Sequence, residues 1–422
     1  MSATGVRPPA GRLDLDGEAV GSRQMRVLIV HNWYRLPGGE DRSVSEEVEL
    51  LTVHGHQVAL LEADNTGLSA AGAVLAGLMS VWNPAAYRRA RQLIRRFRPE
   101  VASVHNVIPQ LSPSVYYAAR VERVPIVQTL HNFRLLCPAA TMMRNGTVCE
   151  SCLGRTLAWP GIAHACYRGS RPATAAVAST TAVHAVLGTW QRRIALYIAL
   201  TEFARHRFIE HGLPANRITV KPTCLLKDPG PGGGGESILF VGRLAPEKGL
   251  GVLFEAWKQL APGPPLVIVG DGPLRPDLER TCRAMDGVQL LGWRSAAEVV
   301  WLMQSSRLLV VPSLWYEGLP RTVIEAFATG LPVIASSLGS LAEVVADGRT
   351  GRLFRPGDAE DLAAKIDWAL SNPGELAHMR QAARAEYEAK YTAQRNYELL
   401  MEIFRRAIAA QTCYSDTCSG FR

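Results

Sequence analysis

An α/β fold with two doubly wound, mostly parallel sheets is the architecture this sequence predicts. Three observations point to it. Short apolar runs alternate with amphipathic stretches along most of the chain, the pattern of repeated βα units. The alternation is interrupted by Asp228-Pro-Gly-Pro-Gly-Gly-Gly-Gly235, which has the composition of a flexible linker, and it restarts at Ile238. At 422 residues the chain is long for one core, so two domains are expected.

The elements follow in order. Arg26–His31 is the first strand. The loop Asn32–Gly39 leads into a helix from Glu40 to His54, where Val44, Val48 and Leu51 form a stripe of helical period and Gly55 stops it. Val58–Leu61 and Val101–Val104 are strands, a helix follows Ser112, and Ile126–Leu130 is the next strand. After an irregular cysteine-bearing stretch, a helix is expected over Ala173–Trp190. Tyr197–Thr201 is then a strand, Glu202–His211 a helix closed by Gly212, and Ile218–Lys221 a strand. In the second half, strands are expected at Ile238, at Val267-Ile-Val269 and at Leu308–Val311, and alternation runs to about Ala369.

Bulk properties exclude several classes. An apolar content of 47% with 20% charged residues is that of a globular protein. No apolar stretch reaches the ~18–20 residues needed to span a bilayer, and the start of the chain lacks the apolar core of a signal peptide. A cytoplasmic protein is therefore expected, with residues 1–24 as a disordered extension. The formal net charge is +8, much of it in Tyr87–Arg98, where six arginines surround the stripe Ala90, Leu93, Ile94 and Phe97. A solvated helix face is the plain reading. Contact with an anionic membrane is the functional one. Nucleic acid is not expected as a partner, because the basic stripe lacks aromatics for base stacking.

The densest chemistry lies in Glu317-Gly-Leu-Pro-Arg-Thr-Val-Ile-Glu325. A buried-type strand precedes it, Gly318 and Pro320 make a loop, and a helix opens at Arg321. Two carboxylates thus flank a loop-to-helix junction at the carboxyl end of a strand, where open α/β sheets bind ligands. The amides of Gly318 and Leu319 and of the helix start favour an anion such as phosphate. Carboxylates for hydroxyls beside amides for phosphate suit a nucleotide-sugar. A second strand ends at Gly242, and Arg243 and Lys248 follow it, two cations placed to embrace a diphosphate. Val267-Ile-Val-Gly-Asp-Gly-Pro273 is another strand-to-glycine turn, in which Asp271 reads as a turn residue.

On these motifs the chain resembles the retaining glycosyltransferases of family 4, which have the GT-B fold. The matching residues are Gly242-Arg243 with Lys248-Gly249, Gly270-Asp271-Gly272-Pro273, and Glu317 with Glu325 as the family's Glu-x7-Glu pair. Pro37-Gly38-Gly39, Val104-His105-Asn106 and Thr129-Leu130-His131-Asn132 match in the first half, so the likeness spans residues 25–410. One departure is Thr223, where many relatives carry Asn.

The resemblance implies an acceptor domain over 25–222 with a cysteine-rich insertion at 137–166, a linker at 223–236 and a donor domain over 237–392. A closing helix over 393–411 and a tail over 412–422 complete the chain. It implies that Glu325 receives the ribose, Arg243 and Lys248 neutralise the diphosphate, and Glu317 holds a sugar hydroxyl aided by the Gly318 and Leu319 amides. Gly38 and Gly39 let backbone approach the phosphates, and His131 meets the donor sugar near its reacting carbon. No metal is required for catalysis, since the two cations take that role. The acceptor implied is a lipid-linked glycan. Competing readings are a GT-B epimerase acting on the nucleotide-sugar alone, a transferase with a soluble small acceptor, and a scaffold that kept the fold. His31 reads as a packing residue, and His105 and Asn106 as lining for an acceptor.

Eight cysteines are present, four of them in the pattern C-x11-C-x2-C-x13-C: Cys137, Cys149, Cys152 and Cys166. In a chain expected to stay reduced, the spacing suits a structural tetrathiolate zinc site as well as it suits four packed thiols, and both readings stand.

Overall fold

The computed structural model describes residues 23–34, 38–65, 75–77, 79–260 and 263–418, with side chains given as far as residue 411. Most of the expected extension 1–24, Pro37, and the side chains of Cys413 and Cys418 lie outside the described residues. By its internal contacts the chain divides into two compact units. One comprises residues up to 129, 184–197 and those from 400 on, and the other comprises 130–183 and 198–399.

The strands of the first sheet are β1 (Arg26–Trp33), β2 (Gln57–Asp64), β3 (Val101–Val104), β4 (Ile126–Leu130), β7 (Leu196–Ala199) and β8 (Ile218–Val220). Between β4 and β7, the two short strands β5 (Met143–Arg144) and β6 (Thr147–Val148) form an antiparallel hairpin. The second sheet is built from β9 (Ser237–Val241), β10 (Leu266–Val269), β11 (Val288–Gly292), β12 (Ser306–Val311), β13 (Val333–Ser336) and β14 (Gly351–Phe354). The orders are β2-β1-β3-β4-β7-β8 and β11-β10-β9-β12-β13-β14. Each order reverses once, between β1 and β3 in the first and between β9 and β12 in the second. Such reversals leave a crevice beyond the strand ends, because the helices leaving the two neighbouring strands go to opposite faces.

The second sheet shows why these runs are strands. Successive side chains of a strand point to opposite faces. Leu239, Val267, Val269, Leu309, Val311, Val333 and Ala335 pack on one side with Val323, Ile324 and Phe327 of the helix Arg321–Ala328. Ile238, Phe240, Leu266, Ile268, Leu308, Val310 and Ile334 pack on the other, with Leu253, Phe254 and Trp257 of the helix Leu250–Gln259. A sheet covered on both faces needs continuous apolar runs, and these strands have them.

Two expectations change in detail. The helix expected over Ala173–Trp190 spans Arg171–Val186, and a second short helix runs over Thr189–Arg192. Gly188 lies between them at φ 66°, a left-handed conformation that glycine adopts without a Cβ penalty. The glycine run 228–235 is not a free tether. Gly232 donates to the Thr329 carbonyl at 2.9 Å, Gly234 donates to the Gln304 carbonyl at 3.1 Å, and the Gln304 amide donates to the Pro229 carbonyl at 2.9 Å. A Cβ on Gly232 or Gly235 would collide with backbone at Gln304 or Ser305. The glycines here permit close approach of two backbones, a use of glycine that composition cannot distinguish from flexibility. Among the described residues no helix is long and apolar enough to cross a membrane.

Candidate functional site

The carboxyl edge of the second sheet is assembled by backbone packing. Gly242 donates to the Val269 carbonyl at 3.0 Å, and Leu244 donates to the Asp271 carbonyl at 2.9 Å. Gly270, at φ 144°, lies so close to the Gly242 carbonyl that no Cβ fits, and Gly272 stands likewise against Leu244. Asp271 accepts from its neighbour's amide at 2.7 Å and from Arg275 at 3.0 Å, which makes it the turn residue the sequence suggested. Gly249, at φ 69°, packs against the Pro312 carbonyl with no room for a side chain. Leu314 donates to the Glu247 carbonyl at 2.9 Å. The loops after β9, β10 and β12 are therefore locked to one another at the reversal point of the sheet.

Those loops bring the charged residues together. Lys248 ends a short 3-10 turn, Pro246–Lys248, and its Nζ lies 2.6 Å from Glu317 Oε1. Ser313 Oγ donates to the same oxygen at 2.7 Å. The Lys248 ammonium also stands over the Trp315 ring at 5.2 Å. Glu317 is buried, so a charged carboxylate there depends on these partners. Arg243 is exposed at the end of β9. Glu325 is buried on the helix Arg321–Ala328, and Arg321 Nε donates to its Oε1 at 3.0 Å, the spacing of one helical turn. Gly318 lies against the His131 carbonyl, where an added Cβ would come within 2.6 Å. Within this one unit, then, Arg243, Lys248, Glu317, Gly318, Leu319 and Glu325 share the loops and helix start at the edge of the sheet, and His131 abuts Gly318.

Gly38 and Gly39 belong to the other unit, at the start of the helix Gly39–Val53. A Cβ at either would meet nothing within 4 Å. Their loop is shaped by Asp41, which sequence reading passed over. Asp41 accepts from the Gly38 amide at 2.9 Å, the Tyr34 amide at 3.2 Å and His31 Nε2 at 2.8 Å. An acid in the first helical turn two residues after a glycine pair was the available signal. Burial alone would raise the Asp41 carboxyl, but the hydrogen bonds from His31, Gly38 and Tyr34 outweigh it and hold it low. Burial pushes the His31 imidazole down despite Asp41, so the ring is neutral and donates through Nε2. His31 is the packed residue the sequence suggested. His105 and Asn106 are also buried. His105 Nε2 lies 3.3 Å from Glu47 of the helix Gly39–Val53, and Asn106 donates to the Asn32 carbonyl of β1 at 3.2 Å, so both are packed against neighbouring elements.

None of the six cysteines whose side chains are described, Cys137, Cys149, Cys152, Cys166, Cys224 and Cys282, is in a disulfide. The first four stand near one another, since after burial it is Cys137, Cys166 and Cys149 that raise Cys152, while among the described residues no group of three or more His, Cys, Asp or Glu side chains is placed to hold a metal ion. Three of these thiols differ from one another. Burial pushes Cys152 up to about 11 and raises Cys166. Cys149 moves the other way, because hydrogen bonds with Ser151 outweigh its burial. A Cβ on Gly161 would press on the Pro138 ring at 3.1 Å and touch the Cys152 sulfur at 3.5 Å.

The sequence of the chain also matches known families. Residues 38–224 match the glycosyl transferase 4-like domain, and residues 226–386 match the glycosyl transferases group 1. The chain belongs to the group 1 glycosyltransferases and has their GT-B fold. Among curated relatives, it is 29% identical over 234 residues to the amylovoran biosynthesis glycosyltransferase AmsK of Erwinia amylovora, a match covering 50% of this chain and 56% of that protein. It is 29% identical over 321 residues to the 2-deoxystreptamine glucosyltransferase of Streptomyces kanamyceticus, covering 74% of this chain and 78% of that one. The first three curated relatives are matched over only 30%, 56% and 45% of their own lengths. Among solved structures, Anabaena Alr3699/HepE in complex with UDP and glucose superposes with a TM-score of 0.64 at 17% identity, over 90% of this chain and 99% of that one.

Proposed function

We propose that this protein transfers a sugar from a nucleotide-diphosphate sugar to a hydroxyl acceptor, with retention at the anomeric carbon. The observation that carries the reading is the contact of Lys248 with Glu317 at 2.6 Å, at the reversal point of the second sheet and beside the start of the helix that carries Glu325. Lys248 and the exposed Arg243 provide positive charge for a leaving diphosphate, which is where charge grows as the glycosidic bond breaks. The amides of Gly318 and Leu319 and of the helix start add fixed dipoles of the same sign. Glu317 and Glu325 provide acceptors for sugar and ribose hydroxyls, and His131, beside Gly318, contacts the sugar. In the step itself the bond from the anomeric carbon to the diphosphate oxygen breaks, the acceptor oxygen bonds to that carbon on the same face, and the acceptor proton passes to the leaving phosphate. HepE, solved in complex with UDP and glucose, supports a uridine nucleotide as the first donor to try.

For the acceptor, we favour a glycan on a lipid carrier, at an anionic membrane surface. The first unit supplies the reason. On the helix Pro84–Phe97 and its cap, Arg91 and Arg95 pair with Glu122 at 2.7 and 2.9 Å, while Arg88, Arg89, Arg96 and Arg98 are exposed. Trp82, Val186 and Leu187 are exposed as well, at 40%, 77% and 54%. They belong to one neighbourhood, since His184 Nε2 lies 2.8 Å from the Val81 carbonyl and the rings of Trp82 and Tyr117 are 5.2 Å apart. Cations beside an exposed Trp and aliphatic side chains suit an anionic interface. A soluble small acceptor is the second reading, favoured by the long match to the 2-deoxystreptamine enzyme.

Thermal stabilisation by a panel of UDP-, GDP- and dTDP-sugars tests the donor, since a ligand of the native state raises its stability. No shift with any member, and no hydrolysis, would sink the transferase reading. Flotation with anionic vesicles tests the membrane. Wild type should float and the variant with Arg88, Arg89, Arg96 and Arg98 changed to Gln should not. Equal failure of both would leave the soluble acceptor.

A further inference from the structure

The cysteine-bearing stretch is not a separate appendage, because it reaches the residue that precedes Glu317. Residues 130–183 group with the second unit. The hairpin β5–β6 turns tightly through Asn145 and Gly146, both at positive φ, and delivers Cys149, whose amide donates to the Met142 carbonyl at 2.7 Å. The next residue, Glu150, closes a turn in which Leu153 donates to its carbonyl at 2.9 Å. Its carboxylate points at the donor loop. Tyr316 Oη donates to Glu150 Oε1 at 3.0 Å, and Arg207 lies 3.1 Å from the same oxygen.

Tyr316 is confined on every side by groups of the same unit. Its ring meets Phe203 at 4.7 Å and Phe133 at 6.3 Å, with the Arg207 guanidinium 5.7 Å above it. Gly339 leaves it room, since a Cβ there would come within 2.7 Å of the ring. Phe203 is itself tied down, its amide donating to Glu343 at 2.7 Å. Tyr316 and Glu317 are consecutive, so the tyrosine ring determines where the backbone of Glu317 starts. Lys248 and Ser313 then hold the carboxylate from the other end.

We propose that Glu150, acting through Tyr316 with Arg207, is a positioning residue for Glu317, so that the cysteine-bearing segment serves as the brace of the donor loop. This rests on the transferase reading of that loop. A carboxylate that must meet one sugar hydroxyl loses rate when it is displaced by a fraction of its contact distance, whereas overall donor affinity is shared among Arg243, Lys248 and Glu325.

The test uses Glu150→Ala, Tyr316→Phe, the pair together, and Glu150→Gln. Tyr316→Phe keeps the ring and its packing and removes only the hydroxyl. Each of the first two should lower kcat by about tenfold with the donor KM within about twofold, and the double variant should be no worse than either single one, as for residues acting in one contact. Glu150→Gln, whose carbonyl can still accept from Tyr316, should recover part of the rate. Amide hydrogen exchange over residues 314–319 reads the same brace without any substrate and should quicken in Glu150→Ala and Tyr316→Phe. Unchanged exchange there, or kcat losses that simply add, overturns the brace. If wild type turns over no nucleotide-sugar while exchange still quickens, the transferase reading fails and the brace stands.

Discussion

Lys248 and Glu317 are 69 residues apart in the chain and 2.6 Å apart in space, joining the loop after β9 to the loop after β12. Glu317 is buried and Lys248 partly so, so each has a different part to play when the other is removed. Lys248→Ala and Arg243→Ala should each lower turnover by ~10²–10³, the scale for one electrostatic donor to a transition state. Only Lys248→Ala should also lower thermal stability, by about 1–3 kcal/mol, because it strips a buried carboxylate of its partner while Arg243 is exposed. Melting curves and initial rates on the same preparations check both parts, and equal stability losses would contradict the assignment.

Glycines at the strand ends should separate into two kinds. Gly270→Ala and Gly249→Ala place a Cβ against the carbonyls of Gly242 and Pro312 at positive φ, so both should be strongly destabilised or fail to accumulate as folded protein. Gly38→Ala and Gly39→Ala meet nothing within 4 Å and should melt like wild type. If the donor phosphates approach that loop, the donor KM of these two variants rises. A melting point lowered as much as in Gly270→Ala would show that the open space is not real.

Acid should weaken the fold near neutrality. His31, His56, His184 and His211 are all held below the ordinary histidine value of 6.5, in each case chiefly by burial. Between the folded and unfolded values the unfolded chain binds more protons than the native one, so stability rises with pH through that window and is lost as pH falls below about 6.5. The depressed Asp41 acts in the same direction at lower pH. Differential scanning calorimetry from about pH 7.5 down to about pH 5.5 should show a falling Tm, less steep in His31→Gln. A flat or rising Tm would mean that these rings are not neutral in the native state.

The cysteines should react unequally. Cys149 is partly exposed and its thiol is held low by Ser151, whereas Cys152 is buried and pushed up to about 11. Because the thiolate is the reactive form, limited iodoacetamide labelling followed by peptide mass spectrometry should find Cys149 modified well before Cys152. Uniform protection of Cys137, Cys149, Cys152 and Cys166, together with one equivalent of zinc by elemental analysis, would instead support the tetrathiolate reading.

Local pattern was enough for most of the architecture. Val101–Val104 and Ile126–Leu130 are strands with the ends expected of them, and the helices at 39–53, 202–210 and 321–328 lie within a residue or two of expectation. Apolar period, caps and glycine stops are short-range signals, and each is complete within a dozen residues. The candidate site residues Arg243, Lys248, Glu317 and Glu325 could be picked out for a related reason, since they lie in the loops and the helix that follow β9 and β12 and are punctuated there by glycine and proline.

What the sequence could not express is which distant groups these residues meet. Glu317 stands in the sequence as one of two loop and helix carboxylates, and only the fold buries it against Lys248, 69 residues away, and Ser313. The run 228–235 has the composition of a tether, yet its glycines let one backbone lie against another. The four cysteines have a ligand-like spacing, but only the fold buries Cys152 and leaves Cys149 partly exposed. Periodicity and composition report conformational preference along the chain. Burial, pairing and steric exclusion depend on what arrives from elsewhere, and only tertiary structure decided those.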